Sequence, residues 1–274
     1  MRVKEIIAVT NDKGGVAKTT TAQNLATGLL LRGYRTLIID ADSQRCASHS
    51  NGWDMEREEQ GERTLFDAMS TSSPLPIYRS KRGLFYVPSS KRMVGIEPFL
   101  KQELTPGTVL RKLLHLPCDD HTGCGVGEPM ESFDYIVIDC PPSLGIITIN
   151  MMAAATGLII PVQPEGYSVL GLGEVTHQFK LVKDSLNPAL QIRGLLLVMV
   201  DMRLKKDQVY HADIGDTFTD LVFRTYIRRN TRIPESQEGT SDIFLYAPKS
   251  SGAKDYNAFV DEFLSKSADA QISK

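Results

Sequence analysis

The sequence predicts an α/β fold of the doubly wound kind, in which a mostly parallel sheet carries helices on both faces. Two observations support this prediction. Short apolar runs that end at polar or glycine-rich turns alternate with longer segments that have core residues at helical spacing. The chain also has 274 residues, of which 42% are hydrophobic and 23% charged, which is enough to bury a large core. We therefore expect a single domain over residues 1–274.

The first predicted element is a strand, followed by a glycine-rich turn and a helix. The apolar run at residues 6–9 is typical of a buried strand, the turn covers residues 11–17, and a helix begins at Lys18. In this order the turn's backbone N–H groups and the positive end of the helix point at an anion. Lys18 is then expected to reach the β- and γ-phosphates of a nucleotide, and the Thr19 hydroxyl to bind Mg²⁺.

The turn departs from the usual phosphate-loop pattern GxxxxGK[ST]. The first glycine is absent, Ala17 replaces the second, and Lys13 precedes the glycine pair. The pattern KGGxxK[ST][ST] is instead a deviant Walker A motif, and in it the chain resembles the ParA/MinD family of P-loop ATPases. That resemblance implies that Lys13 crosses the interface of an ATP-bound dimer and contacts the partner's phosphates. It also implies a nucleotide-binding loop made of Lys13, Gly14, Gly15, Val16, Ala17, Lys18, Thr19 and Thr20.

The second motif, RTLIIDADSQ at residues 35–44, is an apolar run that ends in two aspartates. It is typical of a parallel strand that carries carboxylates to the end of the sheet where doubly wound folds bind ligands. By resemblance, Asp42 matches the family residue that positions the attacking water, and Asp40 matches its companion near the metal. The alternative is that both aspartates only cap the following loop.

The third motif, DYIVIDCPPSLG at residues 134–145, predicts a buried strand over residues 135–138. Asp139 at its end fits a Walker B aspartate that holds Mg²⁺ through water, and the two prolines that follow end the strand. Residues 148–173 resemble the next helix, strand and loop of the family. The resemblance therefore covers most of residues 5–175 and is weaker in residues 45–130 and after residue 200.

The cysteines lack the CxxC spacing of iron–sulfur relatives, so we expect reduced thiols. The four are Cys46, Cys118, Cys124 and Cys140. The segment at residues 115–125 brings together the zinc-type ligands His115, Cys118, His121 and Cys124. Its glycine and acid content favours a surface loop over a metal site.

The net charge of −2 gives the whole surface no general attraction to DNA. Local cations matter more, because phosphate contacts supply sequence-independent affinity that falls with salt. By resemblance to ParA-type relatives, the DNA-binding candidates are Arg203, Lys205, Lys206, Arg224, Arg228 and Arg229. Alternatively, single arginines among them line the nucleotide site or only solvate a helix. Residues 79–92 form a third basic stretch, and the alternative to a DNA-binding role for it is a solvated hairpin.

The chain ends distinguish between relatives. Because the first strand is predicted near Glu5, we expect no N-terminal helix-turn-helix domain of the kind that some partition ATPases carry. In the last helix Phe259, Val260 and Phe263 share one side, while acidic residues offset the lysines. We therefore expect this helix to dock on the core, unlike the membrane-binding helix of MinD-type proteins. Since no run of 18 apolar residues occurs, a membrane partner is not expected.

Together, these observations predict a cytoplasmic, nucleoid-associated ATPase that uses ATP and Mg²⁺. By resemblance, the adenine is held by Met202, Arg203 and Pro234, and Lys13, Lys18 and Asp42 are the catalytic residues. The expected partners are a second copy in an ATP-bound homodimer, nonspecific DNA, and a ParB-like protein that stimulates slow hydrolysis during plasmid or chromosome partition. Two rivals stay open: a positioning ATPase for a protein cargo, such as a carboxysome, chemoreceptor cluster or flagellar pole, and a nucleotide-gated DNA switch with little turnover. Ala17 keeps the second open, because its Cβ lies beside the phosphates.

Overall fold

A computed structural model describes residues 3–116, 130–165, 168–238 and 241–272. Its strands are β1 (Glu5–Val9), β2 (Thr36–Asp40), β3 (Tyr78–Arg79), β4 (Phe85–Val87), β5 (Tyr135–Asp139), β6 (Gly157–Val162) and β7 (Gln191–Leu197). They form one sheet in the order β3-β4-β2-β5-β1-β6-β7. Every neighbouring pair is parallel except β3 and β4. The three strands predicted from the motifs are present, and the doubly wound, mostly parallel sheet is confirmed.

Helices follow most of the strands. They are α1 (Lys18–Leu31), α2 (Cys46–Ser50), α3 (Met55–Glu59), α4 (Leu65–Thr71), α5 (Glu97–Leu100), α6 (Val109–Leu113), α7 (Ile146–Ala154), α8 (Ser168–Ser185), α9 (Lys205–Thr217), α10 (Arg232–Glu238), α11 (Ile243–Tyr246) and α12 (Ser251–Ile272). Short 3-10 turns cover Lys91–Gly95, Pro106–Thr108 and Met130–Ser132. None of the helices in the described parts of the chain is long and apolar enough to cross a membrane.

The core has two layers because successive strand residues point to opposite faces of the sheet. In β1, Ile7 and Val9 pack with residues of α1, α11 and α12, whereas Ala8 packs with residues of α4, α6 and α7. Both faces are thus covered by helices, which is why the central strands are apolar throughout.

The last helix docks on the core, as its apolar side predicts. Phe259, Val260 and Phe263 are almost fully buried. The approach of α12 to α1 is close, since a Cβ added at Gly28 would lie 2.6 Å from a Val260 methyl carbon. The position of α12 against the first helix is therefore fixed by backbone contact as well as by side-chain burial.

The basic stretch at residues 79–92 contains the antiparallel β3–β4 hairpin at one edge of the sheet. Arg82 forms an ion pair with Asp242, and Arg92 pairs with Asp67 and Glu58. Two arginines of this stretch are therefore paired with acidic residues of the protein itself.

Only some of the cysteines and histidines named from the sequence lie in the described part of the chain. Cys46 and Cys140 are free thiols, the first exposed and the second buried. Cys118, His121 and Cys124 lie outside the described residues. The zinc-type interpretation of residues 115–125 therefore stays a minor alternative to the surface loop.

Candidate nucleotide-binding site

The three sequence motifs meet at the carboxyl edge of the sheet. In the ladder of β1 and β5, Val9 is paired with Asp139, and in the ladder of β2 and β5, Asp40 is paired with Asp139. The glycine-rich turn after β1 therefore begins beside both aspartates. Because the ladders fix the strand ends, the central strands bring these groups together whatever the conformation of the loops.

The turn between β1 and α1 has an open, strained backbone. Nothing lies within 4 Å of the Cβ positions of Gly14 and Gly15, so there is space for an anion above them. Ala17, at the start of α1, has φ 57° and ψ 33°, a left-handed conformation that costs a residue with a Cβ roughly 1–2 kcal/mol. Val16 is buried below the turn, and the Asn11 amide bonds the Pro161 carbonyl oxygen at 2.7 Å. These two contacts hold the turn in place.

Lys18 is folded into the turn. Its Nζ donates to the Lys13 carbonyl oxygen at 2.6 Å, and the side chain is buried. Burial lowers the pKa of the Lys18 ammonium, while the negative charges of Asp139 and Asp42 act to raise it. The structure therefore has a partly desolvated cation at the floor of an open turn, which is the arrangement a phosphate group needs.

Asp139 is a buried carboxylate with no well-formed hydrogen bond among the described residues, although the Thr19 hydroxyl lies close enough to lower its pKa. It is fully buried, and neither of its oxygens is bonded. Burial and then the charge of Asp40 raise its pKa well above the usual range, with Thr19 and Lys18 acting in the opposite direction. Lys18 and Thr19 offset the burial of this carboxylate only in part, and a buried carboxylate is costly unless a cation joins it, so the residue fits a magnesium ion.

The magnesium site is not built by protein carboxylates alone. In the described ranges no three Asp, Glu, His or Cys side chains are arranged to hold a metal. Mg²⁺ usually binds through one or two protein oxygens together with phosphate oxygens and water. Asp139 and the nearby Thr19 hydroxyl fit that kind of partial site.

Asp40 is engaged within the protein and does not fit the expected metal contact. One carboxylate oxygen accepts from the Asp42 backbone N–H at 3.0 Å, and the other accepts from the backbone N–H and hydroxyl of Ser48 at 2.7 and 2.6 Å. Burial raises its pKa to about 6, which these bonds partly oppose. The capping alternative is the one these contacts favour, with Asp40 joining the end of β2 to α2.

Asp42 lies in the wall of the cavity that opens above the turn. One of its carboxylate oxygens accepts from the Gln44 backbone N–H at 2.9 Å. That bond orients the side chain and leaves the second oxygen without a hydrogen bond from the described residues. The geometry is compatible with a role in orienting a water molecule.

Lys13 pairs within its own chain. Its Nζ lies 2.5 Å from a carboxylate oxygen of Glu165, and both side chains are close to half exposed. The hydrogen bond from Lys13 lowers the pKa of Glu165. Exposed ion pairs contribute only about 0–1 kcal/mol, so Lys13 is held in place but can be released at small cost.

The cavity above the turn has a volume of about 660 Å³ and is lined by loop residues together with Asp42, Trp53 and Met55. Of the three residues expected to hold the adenine, Met202, Arg203 and Pro234, none lines it, whereas Met199 and Gln237 do. Gln237 also donates to the Thr20 hydroxyl at 2.6 Å. Met199 lies three residues before Met202, and Gln237 lies three residues after Pro234. The sequence could not show which side chains in these segments face inward.

The predicted DNA-binding cations divide into two groups. Arg203 is bonded to Asp201 through Nε and Nη2, and Arg228 is bonded in the same way to the mostly buried Asp255. In the described part of the chain, the other four have no ion-pair partner and are exposed: Lys205, Lys206, Arg224 and Arg229.

The fold and the site together define a P-loop nucleotide-binding protein, and the comparisons with known proteins agree. The chain matches the AAA domain family AAA_31 over residues 4–192. It is 35% identical to the chromosome partitioning protein ParA of Myxococcus xanthus, over 96% of this chain and 89% of that protein. It is 34% identical to the sporulation initiation inhibitor protein Soj of Bacillus subtilis, over 92% and 95%. This chain belongs to the ParA/MinD family of P-loop ATPases, which confirms the resemblance carried by the motifs.

A solved structure gives the same fold with a nucleotide present. Cobyrinic acid a,c-diamide synthase from Mycobacterium smegmatis, crystallised with ADP and magnesium, is 28% identical to this chain. It superposes with a TM-score of 0.76 over 95% of this chain and 93% of the other. A relative with this fold therefore holds a nucleotide and magnesium.

Proposed function

We propose that this protein is a ParA-like partition ATPase, built as one domain over residues 1–274. It binds MgATP at the turn after β1, dimerises on binding, holds DNA without sequence preference, and hydrolyses ATP slowly when a ParB-like partner stimulates it. It acts in the cytoplasm on the nucleoid, moving a plasmid or chromosome. The observation that carries the proposal is the meeting of buried Lys18, buried Asp139 and releasable Lys13 around one open turn.

The residues at the turn divide the work of the site between them. The residues from Gly14 to Thr20 form the phosphate cradle, and Lys18 gives up its bond to the Lys13 carbonyl to face the β- and γ-phosphates. The Thr19 hydroxyl and Asp139 would hold magnesium, which would offset phosphate charge when bound. Asp42 orients the attacking water, and Asp40 positions Asp42 through the hydrogen bond to its backbone.

Lys13 links hydrolysis to dimerisation. In the single chain it rests on Glu165, and in the ATP-bound dimer it leaves Glu165 for the partner's phosphates. Since the Lys13–Glu165 pair is exposed, the loss on release is small compared with a charge-assisted bond to phosphate. A monomer therefore has an incomplete site, and turnover requires the second copy.

The DNA surface includes the four exposed cations that form no ion pair in the described part of the chain, Lys205, Lys206, Arg224 and Arg229. Four cations hold DNA weakly, but an ATP dimer presents eight on one rigid body, and affinity rises steeply with the number of phosphate contacts. Arg203 and Arg228 contribute less, because Asp201 and Asp255 offset their charge.

The experiment is a binding titration of random-sequence duplex DNA at several salt concentrations, with ATP, with ADP and without nucleotide. We expect binding only with ATP. Lys205→Ala with Lys206→Ala removes four cations per dimer and should reduce the slope of log affinity against log salt by about 3 to 4 units. The matched control, Lys81→Ala with Lys91→Ala, removes as many lysines at the opposite edge of the sheet and should change the slope little.

The lysine variant is preferable to Arg228→Ala, which would also destabilise the fold. Asp255 is largely buried beside Arg228, so removing the arginine would leave a buried carboxylate unpaired and destabilise the fold. If the ATP-bound wild type shows no affinity for duplex DNA even at low salt, the partition role is wrong. A positioning ATPase anchored to another surface would then be the better function.

One observation favours a second candidate, a nucleotide-gated DNA switch with little turnover. The left-handed backbone at Ala17 places a Cβ at the turn, next to the space for the phosphates. In this candidate the protein binds DNA with ATP but completes fewer than one turnover in the lifetime of the dimer. A single-turnover measurement of phosphate release, with and without a centromere-binding partner, separates the two.

A further inference from the structure

Backbone strain is concentrated at the nucleotide cavity. Four non-glycine residues in the described chain have a left-handed backbone, and three of them line this cavity: Ala17, Arg45 and Met199. The fourth, Ser72, is at the end of α4 and does not line the cavity. Strained residues persist where a site requires their conformation. Ala17 belongs to the phosphate turn, whereas Arg45 lies outside it.

The backbone of Arg45 is fixed from both sides. Its N–H donates to the Asp42 carbonyl oxygen at 2.9 Å, and its carbonyl oxygen accepts from the His49 N–H at 2.9 Å. It therefore closes the turn that begins at Asp42 and starts α2. Asp42 and Arg45 therefore belong to one hydrogen-bonded turn, and both residues line the nucleotide cavity.

The Arg45 side chain has donors and no acceptor. Only 15% of it is exposed, and its closest carboxylate oxygen, on Glu58, is 4.0 Å away, beyond hydrogen-bond distance. Its Nε is enclosed without a partner. A guanidinium carries five N–H donors, and in the described chain none of them donates to a protein acceptor. Glu58 itself accepts from the Ser90 hydroxyl and from Arg92.

The side chain lies between two hollows, and only one of them is suited to an anion. The groove on the Glu58 side is lined by four acidic and four basic side chains, Arg45 included, so its charges offset one another. The nucleotide cavity on the other side is also lined by Arg45, and it contains Lys18 and the open phosphate turn. An anion able to satisfy Arg45 therefore belongs in the nucleotide cavity.

We propose that Arg45 is a sensor of the γ-phosphate. Without ATP its guanidinium rests loosely beside Glu58, and with ATP it turns into the cavity and donates to the terminal phosphate. The inference rests on the proposed function and names a residue that the phosphate-loop motifs do not include. The terminal phosphate is the fitting part of the nucleotide, because Asp42 of the same turn orients the water that attacks there.

The consequence is selectivity between ATP and ADP. ADP fills the cradle at Lys18 but offers no γ-phosphate, so Arg45 keeps its resting position. A charge-assisted arginine–phosphate contact contributes roughly 10- to 100-fold to affinity. Arg45 thus makes part of the ATP preference that a dimer switch needs.

The test compares the affinities of a non-hydrolysable ATP analogue and of ADP, each with magnesium, by calorimetry. Arg45→Gly removes the cation and accepts the left-handed backbone without strain, so the fold is retained. We expect about 10- to 100-fold weaker binding of the analogue and less than about threefold change for ADP. Arg45→Lys should fall between, because lysine keeps the charge without the planar fork.

The control is Ser72→Gly, which removes a left-handed side chain away from the cavity and should leave both affinities unchanged. An unchanged ratio of the two affinities in Arg45→Gly overturns the proposal. An equal loss for analogue and ADP also overturns it, since Arg45 would then only support the turn. If the wild type binds neither nucleotide, the proposed ATPase function itself is wrong, which is a separate result.

Discussion

Ala17 shows at a single residue how the turn is strained. A left-handed alanine loses roughly 1–2 kcal/mol to the contact of its Cβ with the backbone, and glycine avoids this at the cost of about 0.4–1 kcal/mol of unfolded-chain entropy. Ala17→Gly should therefore stabilise the protein by about 0.5–1 kcal/mol in urea unfolding. Ala22→Gly, in the buried interior of α1, is the matched control and should destabilise it by about 1 kcal/mol or more. A destabilising Ala17→Gly would show that the turn is not strained at this position.

The same variant tests the low-turnover candidate. If the Ala17 Cβ restricts the phosphates, Ala17→Gly raises the rate of phosphate release. An unchanged rate would leave Ala17 as a stability feature alone.

Asp139 gives the clearest pH prediction. The unfolded chain loses this proton near pH 3.9, but burial keeps it bound to higher pH in the folded protein. Above that pH the folded state holds more protons than the unfolded state, so stability falls as pH rises. Asp40, with its pKa raised to about 6, adds to the fall between about pH 4 and 6.

Asp139→Asn removes its share of this loss. Without nucleotide, the variant should be more stable than the wild type at pH 8 by about 1 kcal/mol, and its stability should fall less between pH 5 and 8. Urea unfolding at the two pH values measures both quantities. Magnesium-dependent ATP binding should weaken at the same time. A variant that is less stable at pH 8 would mean that a partner satisfies the carboxylate.

Residue identities at the site were only partly predictable from the sequence. Lys18, Thr19 and Asp139 could be named because a strand and a phosphate turn fix their positions by chain order alone. The capping role of Asp40 could not be decided, because it depends on Ser48 eight residues away. Met199, Gln237 and Glu165 were not named, because the side chain that faces a cavity depends on how loops and short helices are placed rather than on periodicity.

Among the elements, α1 and α12 are in close contact at Gly28, where there is no room for a side chain. A methyl group at Gly28 would lie 2.6 Å from the Val260 side chain in a buried interface, although alanine is the better helix former by about 1 kcal/mol. We expect the clash to win, so that Gly28→Ala destabilises by about 1–3 kcal/mol.

The double variant separates the two effects. With Val260→Ala the space is restored, and Gly28→Ala in that background should be neutral or stabilising. Unfolding of the four proteins of this cycle gives the coupling energy. A destabilisation of the same size in both backgrounds would place the cost elsewhere than at Val260.

Strands and helices were the features that the sequence predicted best. The strands over residues 6–9 and 135–138 and the start of α1 at Lys18 follow from apolar runs and turn chemistry, and the apolar side of α12 predicted its docking. The hairpin edge and the short helices α2 and α3 were not predicted in detail, because four- or five-residue helices depend on caps such as Asp54 more than on period.

For the whole molecule, the proposed mechanism needs two chains to complete one site. In the proposed mechanism each chain has its own cradle, magnesium residues and water-orienting Asp42, whereas its Lys13, which pairs with Glu165 in the single chain, serves the other chain. A heterodimer of complementary variants can therefore contain one intact site even when each homodimer has none.

The most direct measurement is stimulated ATP hydrolysis by a mixture of Lys13→Ala and Asp42→Ala chains. Each variant alone should be inactive, because one lacks the lysine for both sites and the other lacks the carboxylate in both. In the mixed dimer, the Lys13→Ala chain keeps Asp42 and receives Lys13 from its partner, so about a quarter of the wild-type rate should return if the chains pair at random. No activity in a mixture shown to contain heterodimers, or full activity of Lys13→Ala alone, would contradict completion of the site in trans.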